Sequence, residues 1–190
     1  VFFENKLFRG NRTTKHNADY FDAFRSYNYP ELAKAGINIS YNYSAIRYKI
    51  LKKPLIAYKN LCNDVAILKI FPGMQPAVVD AILKIQTLKG LVLETFGSGN
   101  APTQEWFSEK IRESVNKGVI ILNVTQCSGG SVDLGLYETS LALLEAGVIS
   151  GNDITTEAAI TKLMFLLAQN LSKQDIIDQL SKSLRGEINI

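Results

Sequence analysis

The chain has 190 residues and a mass of 21.1 kDa, which suits one medium-sized domain or slightly more. Hydrophobic residues make up 46% and charged residues 21%, a balance that excludes disordered, collagen-like and coiled-coil chains. Lys and Arg outnumber Asp and Glu in residues 1–60 for a net charge of +7, whereas residues 61–190 carry −4. The basic residues are scattered among Tyr, Asn and apolar positions, so a solvated or protein-facing surface is favoured over a nucleic-acid-binding arm.

The first sixty residues carry few regular signals. Val1–Phe8 is predicted to be a strand, and Tyr20–Phe24 a short helical turn. Residues 37–61 alternate Tyr, Ile, Asn and Lys without a helical period, which predicts an extended linker. Too few apolar residues recur on one face for a separate core. The sequence lacks a signal-peptide layout and an initiator Met, so it is expected to be a piece of something longer.

Three short apolar runs then follow at intervals that suit a strand, a helix and the next parallel strand. They are VAILKIF (65–71), LVLET (91–95) and GVIILNV (118–124). The runs are almost continuously apolar, as is typical of strands that are covered on both faces. They predict a parallel sheet.

The segments between and after these strands have helical periodicity. One helix is predicted after Pro76, with an apolar face of Val78, Val79, Ile82, Ile85 and Leu83, and another between Thr103 and Gly118, with Trp106, Phe107, Ile111 and Val115. Three more are predicted at Leu136–Ala146, at Glu157–Gln169 with Ile160, Leu163, Met164 and Leu167, and after a Ser172-x-x-Asp175 capping box with Ile176, Ile177, Leu180 and Leu184. Residues 62–190 are therefore predicted to form a three-layer α/β/α domain with a parallel sheet.

The sequence gives little support for a metal site or a disulfide bond. His16 is the only histidine, and Cys62 and Cys127 are far apart, so no zinc-site spacing exists. Two distant cysteines favour a reducing, cytoplasmic compartment. Cys127 is interpreted as a small buried hydrophobe rather than as a reactive thiol.

Two glycine-containing loops follow neighbouring predicted strands. Phe96-Gly-Ser-Gly-Asn100 comes after the second strand and Gln126-Cys-Ser-Gly-Gly130 after the third. Open α/β sheets bind ligands at the carboxyl ends of their strands. Either loop alone favours an ordinary connection between a strand and a helix, but the two side by side make a better candidate site.

A third candidate is Arg12-Thr-Thr-Lys-His16. Thr hydroxyls and a Lys with cationic neighbours are the parts of an activated nucleophile or its base, since nearby positive charge and burial would both lower the pKa of the Lys. The competing interpretation, favoured by pattern alone, is a solvated basic loop.

Four separated motifs together resemble the type I, cytosolic-type L-asparaginases. They are LFRGNRTTKHNADYFDAF (7–24), LVLETFGSGNAPT (91–103), NVTQCSGGSV (123–132) and ISGNDITTEAAITKL (149–163), and the resemblance continues to LRGE at 184–187. It implies hydrolysis of L-asparagine to L-aspartate and ammonia without a metal or organic cofactor. It also implies homodimers or homotetramers, each subunit having a larger N-terminal and a smaller C-terminal α/β domain.

The sequence departs from this family at the catalytic nucleophile. The family's nucleophilic Thr lies in a Gly-Gly-Thr segment, and a second Thr and an Asp lie in a Gly-Thr-Asp segment, but neither segment occurs here. By resemblance the chain is the C-terminal part of such an enzyme. Residues 1–41 are then a remnant of the N-terminal α/β domain, residues 42–61 a linker, and residues 62–190 the C-terminal domain.

The residue roles implied by the resemblance are few. Lys15 matches the catalytic Lys that helps to activate a Thr hydroxyl, and Asn100 matches the Asn that a neighbouring subunit contributes to substrate binding. Some bacterial relatives have an effector site for asparagine at positions that match Thr14 and Cys127. Glu94 departs from the Arg of some allosteric members, which weakens that last assignment.

Two functions from other classes stay open at this point. A non-catalytic amino-acid-binding or regulatory module built on residues 62–190 would account for the missing nucleophile segments. A nucleic-acid-binding protein would show strongly salt-dependent binding, but no motif of interleaved aromatic and basic residues supports it.

Overall fold

A computed structural model of the chain describes residues 1–47, 54, 56–135 and 138–189. The amino-terminal segment, residues 1–47, contains short antiparallel strands and one turn of 3-10 helix at Gly10–Arg12. The strands are β1 (Phe2–Phe3), β2 (Lys6–Leu7), β3 (Thr14–Lys15), β4 (Phe24–Arg25), β5 (Ala33–Ala35) and β6 (Ile39–Tyr41). Four of these strands form a sheet of order β1-β2-β5-β6, and β3 and β4 pair as a separate two-stranded ribbon.

The rest of the described chain is built on a parallel sheet of order β10-β9-β8-β7. Its strands are β7 (Val65–Lys69), β8 (Gly90–Thr95), β9 (Ile120–Thr125) and β10 (Ile149–Ser150), and its helices are α1 (Pro76–Leu83), α2 (Glu105–Asn116), α3 (Glu138–Glu145), α4 (Thr156–Leu167) and α5 (Lys173–Leu180). Strands β8 and β9 are the central pair and are buried along almost their whole length. Their continuous apolar sequence is explained by this burial on both faces.

Helices cover both faces of this sheet. The first three helices pack on one face through Val79, Phe107, Ile111 and Leu143, each at most 1% exposed. Helices α4 and α5 pack on the other through Leu163 and Ile176. The predicted α/β fold with a parallel sheet is confirmed. None of the helices in the described part of the chain has both the length and the apolar character needed to span a bilayer.

Several predicted details of this domain need correction. A fourth strand, β10, pairs with β9, but two residues are too few to give a strand pattern in the sequence. Val78 and Ile85 were assigned to the apolar face of α1, yet they are 41% and 45% exposed because the helix ends at Leu83 and buries only Val79 fully. Helix α3 begins at Glu138, and the first two residues of the predicted helix, 136 and 137, lie outside the described residues.

The amino-terminal segment departs further from its prediction. Val1–Phe8 is a hairpin and not one strand, because the chain reverses at Glu4, which has a positive φ of 55°. Tyr20–Phe24 contains no helical turn; Asn17 Oδ1 instead accepts hydrogen bonds from the backbone of Asp19 and Tyr20, a local turn that leads into β4. Residues 39–41, just before the predicted linker of residues 42–61, form β6, which pairs with β5, and residues 48–53 and 55 of that linker lie outside the described residues.

Candidate functional site

The two predicted glycine loops follow β8 and β9 at the carboxyl edge of the sheet. Since these strands are parallel neighbours, the loops leave the same edge as expected. The loop after β9 turns back over the sheet, where Gln126 Nε2 donates to Ile70 O at 2.7 Å and to Glu94 O at 2.9 Å. One amide thus ties together the carboxyl ends of three adjacent strands.

The loop after β8 is a tight turn that ends at Asn100. The backbone N–H of Phe96 donates to Asn100 O at 3.0 Å, and Gly99 has a φ of +124°, which strongly favours glycine. The half-buried Asn100 side chain contacts α3, because Thr139 Oγ1 donates to Asn100 Oδ1 at 2.6 Å. The turn therefore holds Asn100 in one defined orientation.

Thr14 and Lys15 form the whole of strand β3, opposite β4 of the ribbon. Thr14 pairs with Arg25 and Lys15 with Phe24. The two side chains have different surroundings: Thr14 Oγ1 donates to Glu157 Oε1 at 2.5 Å, whereas Lys15 is exposed. The burial that was expected to act on the Lys15 amine is thus not supplied by the described residues.

Thr14 and Cys127 line one cavity of about 360 Å³ between the ribbon, the sheet edge and the start of α4. Its lining includes two carboxylates, Glu94 and Glu157. Thr156 Oγ1 donates to Glu94 Oε1 at 2.6 Å, and Lys69 lies 3.7 Å from the same carboxylate. Neither Lys15 nor Asn100 is among the described residues that line this cavity. The four predicted site residues therefore fall into three places.

Cys127 is exposed, so its interpretation as a buried hydrophobe was wrong. It lies in the loop that follows β9, where the chain leaves the buried part of the sheet. Both cysteines are free thiols. In the described part of the chain, no three His, Cys, Asp or Glu side chains come together in a way that could hold a metal ion.

A buried charge cluster, which we call the Arg12–Asp153 clamp, joins the ribbon to the parallel-sheet domain. Its members are Arg12, Asn28, Asp153 and Asn189. Arg12 is 2% exposed and binds Asp153 through two parallel bonds, Nη1 to Oδ1 at 3.0 Å and Nη2 to Oδ2 at 2.5 Å. Arg12 also donates to Glu187 O at 2.6 Å and to Asn28 O at 3.0 Å. Such a bidentate pair fixes orientation as well as distance.

The same carboxylate receives two further hydrogen bonds. Asn189 donates its backbone N–H to Asp153 Oδ1 at 2.9 Å and its side-chain amide to Oδ2 at 2.7 Å. Burial of Asp153 disfavours its charged form, but the hydrogen bonds from Arg12 and Asn189 outweigh it, so the pKa of Asp153 lies below its ordinary value. The carboxylate is therefore held in its charged form.

Sequence patterns did not identify this clamp. Arg12 lies within the Arg-Thr-Thr-Lys motif, but its partners are 141 and 175 positions away in Asp153 and Glu187. A buried Arg needs an anionic partner, but this rule does not identify which carboxylate of the chain is that partner. Asp153 follows β10, a strand that the sequence did not predict. The sequence therefore did not indicate that Asp153 lies beside the ribbon.

Comparison with known proteins supports the motifs found in the sequence. The sequence profile of the glutaminase/asparaginase C-terminal domain matches residues 64–180, and that of the asparaginase N-terminal domain matches residues 1–47. The chain is 42% identical to L-asparaginase 1 of Escherichia coli, covering 99% of this chain and 55% of that protein. It is also 41% identical to the 60 kDa lysophospholipase of Mus musculus, covering 100% of this chain and 34% of that protein.

The same relationship is found among solved structures. The chain superposes on L-asparaginase I from Vibrio cholerae with a TM-score of 0.92 and 39% sequence identity, covering 100% of this chain and 57% of that one. It thus spans about half the length of the asparaginases that it matches. The resemblance inferred from the four motifs is confirmed: the chain belongs to the glutaminase/asparaginase family, whose C-terminal domain it contains at residues 64–180.

Proposed function

We propose that the chain is the C-terminal part of an L-asparaginase, an amidohydrolase that converts L-asparagine to L-aspartate and ammonia. One observation carries the proposal: both family domains match in order, and the whole chain superposes on an L-asparaginase I at a TM-score of 0.92. In the complete enzyme, a Thr hydroxyl outside this chain attacks the amide carbon of the substrate. The C–N bond of the resulting tetrahedral intermediate breaks, and ammonia leaves with the proton taken from the hydroxyl. Water then hydrolyses the acyl-enzyme to L-aspartate and the free Thr.

In this proposal Lys15 and Asn100 take the two roles that the motifs imply. The Lys15 amine assists proton transfer from the attacking hydroxyl, and its exposure on the ribbon leaves it accessible to a hydroxyl from outside this chain. Asn100 binds substrate in the site of a neighbouring subunit, which requires a homodimer or homotetramer. Two free cysteines agree with a reducing, cytoplasmic location.

Ammonia release tests the proposal directly. The full-length protein, with the N-terminal residues that the relatives have and this chain lacks, should release ammonia from L-asparagine. The 190-residue chain alone should release none above the buffer control, because it lacks the Gly-Gly-Thr and Gly-Thr-Asp segments. A full-length protein that hydrolyses lysophosphatidylcholine but not L-asparagine would contradict the proposed substrate.

A second candidate function is a non-catalytic amino-acid-binding or regulatory module. The observation in its favour is the cavity of about 360 Å³ that contains Thr14 and Cys127, the proposed effector positions. An α-carboxylate entering it would meet Glu94 and Glu157, with Lys69 as the nearby cation. Calorimetric titration of the 190-residue chain with L-asparagine separates the two functions: saturable binding together with an inactive full-length protein would favour the module.

A further inference from the structure

We propose that Arg12 is a positioning residue for Lys15, holding the β3–β4 ribbon against the parallel-sheet domain through Asp153. The inference rests on the proposed function, because it presupposes that Lys15 assists the reaction. It adds a residue to which neither the motifs nor the comparisons assign a role. Arg12 acts on Lys15 through the backbone, three residues away in the chain.

The ribbon is too small to hold Lys15 by itself. Each of its strands has two residues, and an isolated two-stranded ribbon is at best marginally stable in water. Two further backbone bonds close it, from His16 N to Ala23 O at 2.7 Å and from Asn17 N to the same oxygen at 3.4 Å. The exposed Lys15 side chain gains little fixation from packing, so its position depends on what anchors the ribbon.

The Arg12–Asp153 clamp anchors the ribbon on both sides. Arg12 lies two positions before β3 and binds the Asp153 carboxylate, and Asn28 lies three positions after β4 and donates to Asp153 O at 3.0 Å. Arg12 Nη2 also donates to Asn28 O, so the two sides are joined to each other. The ribbon therefore cannot shift relative to Asp153 without breaking several of these bonds.

Asp153 is itself fixed to the sheet. Gly151, two positions earlier, donates its N–H to Asn123 O at 2.8 Å, and Asn123 is fully buried in β9. A Cβ at Gly151 would lie 2.7 Å from that carbonyl oxygen, so the approach is as close as the backbone allows. Rigid contacts thus run from the sheet through Asp153 to both sides of the ribbon.

Only a guanidinium can make all of these contacts. Arg12 uses both terminal nitrogens, each binding one carboxylate oxygen and one backbone carbonyl. A Lys at this position keeps the charge but provides a single nitrogen, which cannot span both carboxylate oxygens and both carbonyls in the same geometry. Arg12→Lys should therefore loosen the ribbon while leaving the fold largely intact.

The experiment measures activity and ribbon mobility separately. In the full-length protein, we expect Arg12→Lys to lower kcat about 10- to 100-fold and to change KM less than about threefold, because small displacements of a reacting group are costly. Asn28→Ala, which loosens the other side, should show the same pattern. In the 190-residue chain, exchange of the His16 amide should become at least about tenfold faster in Arg12→Lys, while the Gln126 amide, which donates to Thr95 O of β8 at 2.9 Å, keeps its rate.

The control is Ile111→Ala, which truncates a fully buried side chain on α2 in the other helical layer. It should lower the melting temperature and leave kcat near that of the wild type at assay temperatures below melting. Equal loss of kcat in Ile111→Ala and Arg12→Lys, or a kcat within about twofold of wild type in both clamp variants, would overturn the proposal. If the full-length wild type is inactive, the proposed function fails, and the exchange of the His16 amide still decides whether Arg12 fixes the ribbon.

Discussion

At the scale of single residues, two buried ion pairs show how charge is used in this chain. Arg12 pairs with Asp153, and Lys162 pairs with Glu187 at 2.8 Å. Lys162 also donates to two backbone carbonyls, those of Leu180 at 2.9 Å and Lys182 at 2.6 Å. Buried pairs give little net stability, but removing one partner leaves a buried charge at a cost of about 3–5 kcal/mol. Both pairs therefore specify which segments of the chain meet. Arg12 and Lys162 both bind Glu187, one through its backbone oxygen and the other through its carboxylate, so both pairs also fix the carboxyl-terminal segment.

The first prediction at this scale concerns Lys15. In the full-length protein, Lys15→Met should lower kcat about 10²- to 10⁴-fold and raise KM far less, because in the proposed mechanism the amine acts on proton transfer in the transition state. Steady-state ammonia release measures both constants. Lys117→Met, the same change at an exposed residue at the end of α2, is the matched control. A near-normal kcat in Lys15→Met would make Lys15 an ordinary ribbon residue.

The second prediction follows from the lowered pKa of Asp153. Since its folded pKa lies below the unfolded value of about 3.9, its charge stabilises the fold above that pH, and the stabilisation is lost as the pH falls through the folded pKa. The melting temperature of the chain should therefore begin to drop as the pH falls below about 5 and continue to drop through the lowered pKa of Asp153. Asp153→Asn should melt lower at pH 7 and lose less on acidification, whereas Asp178→Asn on the exposed surface of α5 should keep the wild-type pH dependence. Equal slopes in wild type and Asp153→Asn would contradict this account.

At the scale of elements, local signals were reliable where burial is continuous. Strands β8 and β9 were found because strands covered on both faces are apolar throughout. Strand β7 was found from its apolar sequence as well, although it lies at the edge of the described sheet and Ile67 is 44% exposed. Strands β3 and β4 were missed, and β1 and β2 were predicted as one strand, since pairing determines such short strands more than their own composition does. Val78 and Ile85 have the spacing of a helical apolar face, yet both side chains are exposed. Their exposure depends on where α1 ends and on which elements pack against it. The local sequence pattern thus predicts where a helix or strand forms, but it does not predict which other elements it packs against.

The candidate site divides in the same way. Lys15, Asn100, Thr14 and Cys127 were predicted from motifs, because such residues lie in short, distinctive segments, and their roles remain predictions. The clamp was missed because Arg12 and Asp153 are 141 positions apart. The contact of Thr14 with Glu157 was missed for the same reason, at a separation of 143. Which charges meet is fixed by the tertiary fold, and a single sequence does not reveal it.

The third prediction tests a local signal that the structure bears out. Ser172 and Asp175 form the predicted capping box at the start of α5, with Ser172 Oγ accepting from Asp175 N at 3.1 Å. Ser172→Ala should lower the free energy of unfolding by about 1 kcal/mol, because a donor in the first turn loses its partner. Denaturant unfolding of the 190-residue chain measures the change. Ser181→Ala, at the other end of the same helix, should have a smaller effect; equal losses would contradict the role of the capping box.

At the scale of the whole molecule, the amino-terminal segment depends on the parallel-sheet domain. Within residues 1–47 only four hydrophobic residues are buried, and they are Phe8, Ala23, Ala33 and Ala45. So small a core cannot offset the conformational entropy lost on folding. The segment is held instead by the clamp, by Arg9 Nη1 donating to Gly186 O at 3.1 Å, and by Thr14 donating to Glu157. Its geometry is thus determined by the domain to which it is attached.

The last prediction concerns how subunits share a site. Asn100 is held in its turn by Thr139, which binds Oδ1, and a side-chain amide has donor groups as well, so Asn100 can still donate to a substrate. We predict that it does so in the site of a second subunit. A full-length Lys15→Met subunit is co-expressed with a full-length Asn100→Ala subunit, each with a different purification tag, and heterodimers are isolated through both tags. If Asn100 acts across the interface, each heterodimer has one site with both defects and one intact site, so ammonia release should reach about half that of the wild type. If Asn100 acts within its own chain, both sites carry one defect, and the heterodimer should release ammonia at the average rate of the two mutant homodimers.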